Sequence, residues 1–256
     1  MGDFSQNGII SNLHDFGTKT TADIEKELVK FSKERKMELI LPSLYSELKG
    51  DALPNIVKQI SETKYLNHII VGLDKASKAE AIKAWNFFKK LNKPFTILWN
   101  DGPRLKKLHE ELKEKDLAPS EMGKGRNVWY CLGMCIARDE ARSVALHDCD
   151  IKTYDRRMLA KLFYPVVNPF FNFEFCKGYY PRIAKGKMNG RVARLLVFPL
   201  LTALEKTIGR SDYLEFMKSF KYPLAGEFSF RRNVLPELRI SSDWGIEVGS
   251  LSEMQR

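Results

Sequence analysis

Asp148 and Asp150 stand two apart in the run VALHDCDIKTYD, directly after the apolar Val144, Ala145 and Leu146. In an extended chain, side chains two apart share one side. Two carboxylates so placed stay ionised together only if positive charge sits near them. A hard divalent cation, Mg2+ or Mn2+, meets that need, and also bridges phosphate oxygens. A solvated loop carrying two acids is the plainer alternative. His147 faces the other way in the same extended reading and is expected to be structural.

Further residues bear on chemistry. Lys124 lies between Gly123 and Gly125 at the start of a helical pattern, GKGRNVWY. Its ammonium and the backbone N–H groups of the helix start suit a phosphate or a base carbonyl, or form a simple turn and cap. The spacing is not that of a P-loop. Arg191 follows Gly190 at another helix start, where a guanidinium suits a carboxylate or phosphate, although an exposed surface arginine reads the same way. Glu227 in PLAGEFSF and Glu247 in WGIEVG sit among apolar neighbours. Buried glutamates are rare unless paired, so each is either a structural acid or a group that holds a sugar hydroxyl.

These residues need a frame. The first 150 residues alternate helix and strand. Ile24, Leu28 and Phe31 form one stripe of a helix over 21–36, and apolar strands follow at MELILPSL, LNHIIVGLD, PFTILWND and SVALHDCD. Between them run helical patterns at LPNIVKQISETK, KAEAIKAWNFFKKL and GRNVWYCLGMCIAR. Continuous apolar strands joined by helical crossovers predict a parallel sheet covered on both faces, with ligands at the C-terminal ends of the strands. Pro42, expected to stop the first strand, falls at those ends with Asp74, Asp101 and the Asp148/Asp150 pair. After residue 150 the rhythm changes. RRMLAKLFYPVV reads as a helix, FNFEFCKGYYPRI as an edge strand or hairpin, and KGKMNGRVARLLVFPLLTALEK as a turn leading into a helix with Pro199 inside it. No linker separates the halves, so a single domain over 1–256 is expected, with a ligand-binding first half (1–150) and a second half (151–256) elaborating the same sheet.

The net charge of +10 points to anionic partners, and the basic residues are spread along the chain without an aromatic-basic recognition signature. KKLHEELKEK reads as an exposed, salt-bridged helix. No apolar run approaches the ~20 residues of a membrane span. The opening MGDFSQNGII shows no leader, and Gln6 stands where myristoylation wants Ser or Thr. The four cysteines form no C-x-x-C pair and are expected to be reduced, mostly buried thiols in a cytoplasmic protein.

Taken in order, GKGRNVW, ALHDCD, FCKGYYPRI, NGRVARLLVFPLL, YPLAGEFSFRR and DWGIEVGSLSEM resemble the glucosyl-3-phosphoglycerate synthases. The resemblance covers about residues 37–254. It implies a GT-A nucleotide-sugar-binding fold, mainly a parallel central sheet with helices on both faces. It also implies a retaining hexosyl transfer from UDP-glucose to the 2-hydroxyl of 3-phosphoglycerate, giving the precursor of the compatible solute glucosylglycerate. By the same resemblance Pro42 and Ser43 line the uridine site, Asp74 meets the nucleoside, and Lys124 faces the nucleotide. Asp148 lies by the ribose and sugar, and Asp150 holds the Mg2+ (or Mn2+) on the diphosphate. Gly190 and Arg191 hold the phosphoglycerate. Leu224, Gly226 and Glu227 border the donor sugar, and Glu247 holds hydroxyls. The partners implied are the two small molecules and a homodimer, with no nucleic acid or membrane.

Three departures from the family pattern stand out. The run PSLYSEL replaces the family's Asn-Glu pair after the first-strand proline, leaving the role of Glu47 open. Ala193 stands where the family often has an acceptor-binding hydroxyl. The family's downstream metal-binding histidine has no counterpart before Arg256, and SLSEMQR reads as a helix cut mid-turn, so a further C-terminal part is expected. Glucose and mannose differ at one hydroxyl, and no residue decides between them. A nucleotidyltransferase and a basic nucleic-acid-binding module are the competing readings.

Overall fold

The structure is a computed structural model and describes residues 10, 12–13, 19–180, 183–184, 187–188 and 190–256. The N-terminal stretch read for a leader lies almost wholly outside these residues, as do parts of the turn expected at 185–190.

Helix α1 (Thr21–Phe31) opens with a reciprocal cap between Thr20 and Asp23 and buries Ile24 and Leu28. It ends five residues before the expected limit, because SKERK offers no further apolar position to the stripe. Strands β1 (Met37–Leu44), β2 (Leu66–Asp74), β3 (Phe95–Trp99) and β4 (Ser143–Leu146) alternate with helices α2 (Ala52–Ser61), α3 (Lys78–Phe88), α4 (Pro103–Lys113) and α5 (Lys124–Arg138). All neighbouring pairs among β1 to β4 are parallel. Helix α6 (Arg156–Val167) and strand β5 (Phe175–Lys177) follow, then the short pair β6 (Ile183–Ala184) and β7 (Lys187–Met188). Helices α7 (Phe198–Ile208) and α8 (Asp212–Ser219), strand β8 (Phe228–Arg231) and helix α9 (Ile246–Gln255) complete the order. Strand β8 inserts antiparallel between β4 and β5, giving a six-stranded sheet in the order β3-β2-β1-β4-β8-β5.

The strands read as unbroken apolar runs because both faces are covered. Leu39, Leu41, Ile69, Val71 and Ala145 enter the cluster that includes α2 and α6 side chains, among them Ile56, Val57 and Phe163. Their alternates Ile40, Ile70, Val144 and Leu146 pack with Val128, Cys131, Phe228 and Phe230 on the other side, where α5 lies. The expected exposed helix is α4, which buries no side chain. The four cysteines are free, three of them buried.

Two expectations are corrected. Pro42 does not stop β1: it sits in register with Gly72 and the strand continues to Leu44. The fourth strand stops at Leu146, so Asp148 and Asp150 lie in the loop and turn beyond it and not in extended chain. Pro199 lies inside the helix, as expected, in the first turn of α7. A π-helical stretch, Ala193–Val197, precedes it. Proline lacks the N–H that a regular α-turn would donate at this point.

Candidate active site

The C-terminal ends of β1, β2 and β4 form the edge on which the sequence-derived residues were placed. The feature that gathers most of them is an ion cluster. Lys124, in the first turn of α5, places Nζ 2.6 Å from Asp148 Oδ1 and 2.9 Å from Glu247 Oε1. Burial works against the ammonium, but Asp148 and Glu247 outweigh it and hold the Lys124 pKa well above its ordinary range. The positive group beside Asp148 is therefore a lysine of the chain itself.

Gly226 closes this cluster from the β8 side. A Cβ there would lie 2.3 Å from Asp148 Oδ2 and 3.0 Å from Lys124 Nζ, so the loop 224–227 can press on the ion pair only as glycine. Glu227 is buried beside it and Leu224 half-buried. Gly190, with φ +81°, lies near the ring of Tyr222, which precedes the same loop. Arg191 is exposed. The structure thus brings Lys124, Asp148, Gly226 and Glu247 into direct contact and sets Glu227, Leu224 and Gly190 around the same loop.

The α5 start follows the plainer of its two readings, with its amides spent within the chain. The N–H groups of Gly125 and Arg126 are already donated to Asp243 O (3.2 Å) and Ser242 O (2.6 Å). A Cβ on Gly125 would stand 1.7 Å from Ser241 O, so the glycine is required by the 241–243 loop and not by an incoming phosphate. Asp74 is also engaged: buried at the end of β2, it accepts from Arg126 Nη2 at 3.3 Å. Asp101 braces the chain after β2 by accepting from Ala76 N at 3.0 Å. His147 is fully buried and packs edge-on to Tyr154, and burial pushes its pKa down to about 3, as a structural histidine requires.

Asp150 is exposed, and no cation lies within ion-pair distance of it among the described residues. Glu47 caps Leu44 N at 2.9 Å; its pKa is raised by burial and, more weakly, by Asp150 and Asp148. Ser43 is buried at the same end of β1. Three carboxylates thus face a common region with one lysine among them. No group of three His, Cys, Asp or Glu side chains able to enclose a metal occurs among the described residues. A cation here would take one or two carboxylates and fill its shell from phosphate oxygens and water, the usual manner of Mg2+.

Lys177, at the end of β5, escaped sequence reading. Its Nζ donates to Ala225 O (2.8 Å) and Glu247 O (3.1 Å) and lies over the Phe228 ring. It ties the loop before Gly226 to the first turn of α9. Burial pushes its pKa down to about 7 against the pull of Glu247 and Glu227. The available signal was a single lysine in the aromatic run FNFEFCKGYY. Between pH 7 and about 10 the folded chain has released this proton while an unfolded lysine still holds it. Stability contributed through Lys177 therefore rises with pH across that window. In Lys177→Met, urea denaturation midpoints measured from pH 7 to 10 should lose this upward slope.

No family model matches the chain. It is 43% identical over 254 residues to the glucosyl-3-phosphoglycerate synthase of Persephonella marina, covering 99% of this chain and 63% of that protein. It is 37% identical over 250 residues to the enzyme of the same name from Methanococcoides burtonii, covering 96% and 61%. The glucosyl-3-phosphoglycerate synthase of Mycobacterium tuberculosis, solved with Mn2+, UDP and glucosyl-3-phosphoglycerate, superposes with a TM-score of 0.62 at 21% identity. That match covers 94% of this chain and 70% of the other. A second structure of that protein, with Mn2+, UDP-glucose and phosphoglyceric acid, also gives 0.62 at 21% identity, covering 92% and 69%. The fold is therefore of the GT-A type that the resemblance implied. This chain is homologous along nearly its whole length to the glucosyl-3-phosphoglycerate synthases, and spans a little over three fifths of the two curated relatives.

Proposed function

We propose that this protein is a retaining glycosyltransferase that moves glucose from UDP-glucose to 3-phosphoglycerate. The carrying observation is the contact of Lys124, Asp148 and Glu247 against Gly226 at the C-terminal end of β4. It fixes two carboxylates and an ammonium where a parallel sheet presents its ligands.

The chain acts in this reading as one domain, with residues 1–150 holding the nucleotide sugar and 151–256 the acceptor. Pro42, Ser43 and Asp74 border the nucleoside, Asp74 through its hold on Arg126. Lys124 holds Asp148 and Glu247 in place through its two ion pairs, so that Asp148 meets the ribose and sugar and Glu247 meets hydroxyls. Leu224, Gly226 and Glu227 shape the wall against the glucose. Gly190 and Arg191 hold the acceptor's anionic end. Asp150, with Glu47 and Asp148 close by, would hold Mg2+ or Mn2+, which supplies Lewis-acid stabilisation of the leaving diphosphate. The acceptor oxygen bonds to the anomeric carbon on the face from which UDP leaves, and its proton passes to the departing phosphate. Positioning and charge control are the tasks left to side chains. The charge of +10 suits two polyanionic substrates. The same family resemblance points to a cytoplasmic enzyme, working as a homodimer; no helix among the described residues is long and apolar enough to cross a membrane.

Incubation with Mg2+, 3-phosphoglycerate and a panel of nucleotide sugars tests this reading. UDP should be released from UDP-glucose only when the acceptor is present. Pyrophosphate release instead would identify a nucleotidyltransferase. No release from any nucleotide sugar would overturn the proposal.

A further inference from the structure

A second concave site lies at the opposite end of the sheet, where β1 and β4 begin. Arg35 precedes β1, Arg142 precedes β4, and Arg231 and Arg232 follow one another at the end of β8. Backbone bonds join these segments: Arg142 N to Lys36 O at 2.8 Å and Arg232 N to Arg142 O at 3.0 Å. All four arginines line one cavity of about 450 Å³, together with a single acid, Glu34.

Structural duties account for part of this cluster. Arg35 Nη1 donates to Val167 O at 3.1 Å, and Arg231 donates from Nε to Val166 O at 3.1 Å and from Nη2 to Phe171 O at 2.8 Å. Both thereby cap the C-terminal carbonyls of α6 or the turn after it, as cations favourably do. Arg232 is paired with Asp139 at 2.7 Å. These contacts leave much unmet. Arg35, Arg142 and Arg231 have no carboxylate within ion-pair distance among the described residues. Arg142 is exposed, with no side-chain hydrogen bond among those residues. Arg232 Nε is buried without a hydrogen-bond partner. Guanidiniums gathered without carboxylates repel one another, and a buried unpaired donor is costly. A multiply charged phosphate group answers both, because arginine forks match phosphate oxygens. The volume falls in the range of small-molecule sites.

We infer that this cavity binds a small oligophosphate-bearing anion, at a site separate from the one that handles the sugar nucleotide. Inorganic tripolyphosphate is a suitable probe, titrated calorimetrically in metal-free buffer so that chelation does not intervene. Wild-type protein should bind it. Arg142→Gln should weaken binding about tenfold or more, since it removes a charged donor; Arg142→Lys should keep most of the affinity. Arg142 makes no structural side-chain contact among the described residues, so unfolding should not confuse the result; Arg35→Gln, with helix content checked by circular dichroism, is the second variant. Arg191→Gln, at the proposed acceptor site and not among the residues lining this cavity, should leave most of the affinity in place and so separates the two anion sites. No binding by the wild type, equal binding by both cavity variants, or loss of binding only in Arg191→Gln would overturn the inference. Tighter binding of a short oligonucleotide than of tripolyphosphate would overturn it as well, by assigning the arginines to nucleic acid.

Discussion

Asp150→Ala is expected to abolish the thermal stabilisation that UDP-glucose confers in the presence of Mg2+, while leaving the melting temperature of the free protein nearly unchanged. Asp150 is exposed and bound to no cation among the described residues, so its removal costs the fold little, within about 0.5 kcal/mol. A ligand present at about a hundred times its dissociation constant stabilises by ~2.7 kcal/mol. In a chain of this length that corresponds to a shift of roughly 5–10 °C. The variant should lose nearly all of that shift and show UDP release reduced by about two orders of magnitude or more. Differential scanning fluorimetry with and without Mg2+ checks the first part, and the product assay the second. A variant still stabilised by nucleotide sugar and Mg2+ to the wild-type extent would remove Asp150 from the metal site.

The sheet was legible because its strands obey a local rule. Val144, Ala145 and Leu146 look alike in sequence, yet alternate between two apolar layers, and only a doubly covered strand permits that. The location of the site followed from the same rule, since acids at strand ends mark the ligand edge. What stayed hidden depended on distant partners. Gly125 fitted either a phosphate-facing helix start or a plain turn; in the fold it makes room for Ser241, and the amides of Gly125 and Arg126 are spent on Asp243 and Ser242. The positive charge beside Asp148 was expected from a divalent cation, whereas Lys124 supplies it and shares it with a second acid, Glu247, 123 residues further along the chain. Lys177 bonds only to backbone carbonyls, which carry no residue identity for a sequence pattern to display. Pro42 inside β1 defeated a sound local rule because its residue pairs with Gly72 near the strand's end, where a missing donor is tolerated.

Lys124→Met should be the most damaging single change in the site, and its effects can be separated. The ammonium is about a quarter exposed and touches two carboxylates. Removing one partner of a buried pair costs 3–5 kcal/mol, and partial exposure reduces this to roughly 1–3 kcal/mol. Asp148 and Glu247 would then lose the cation that both of them contact. The kcat/KM at pH 7 should fall about a hundredfold. Arginine should not restore it, because the space beside Nζ at Gly226 is too tight even for a Cβ, which would lie 3.0 Å away, and a planar guanidinium is bulkier than an ammonium. The double variant Lys124→Met/Asp148→Asn removes one of the two carboxylate charges left without a cation, Glu247 keeping the other, and should recover part of the lost stability. It should recover none of the activity if Asp148 acts on the sugar nucleotide. Recovery of both would reduce the Lys124–Asp148 pair to a structural clasp.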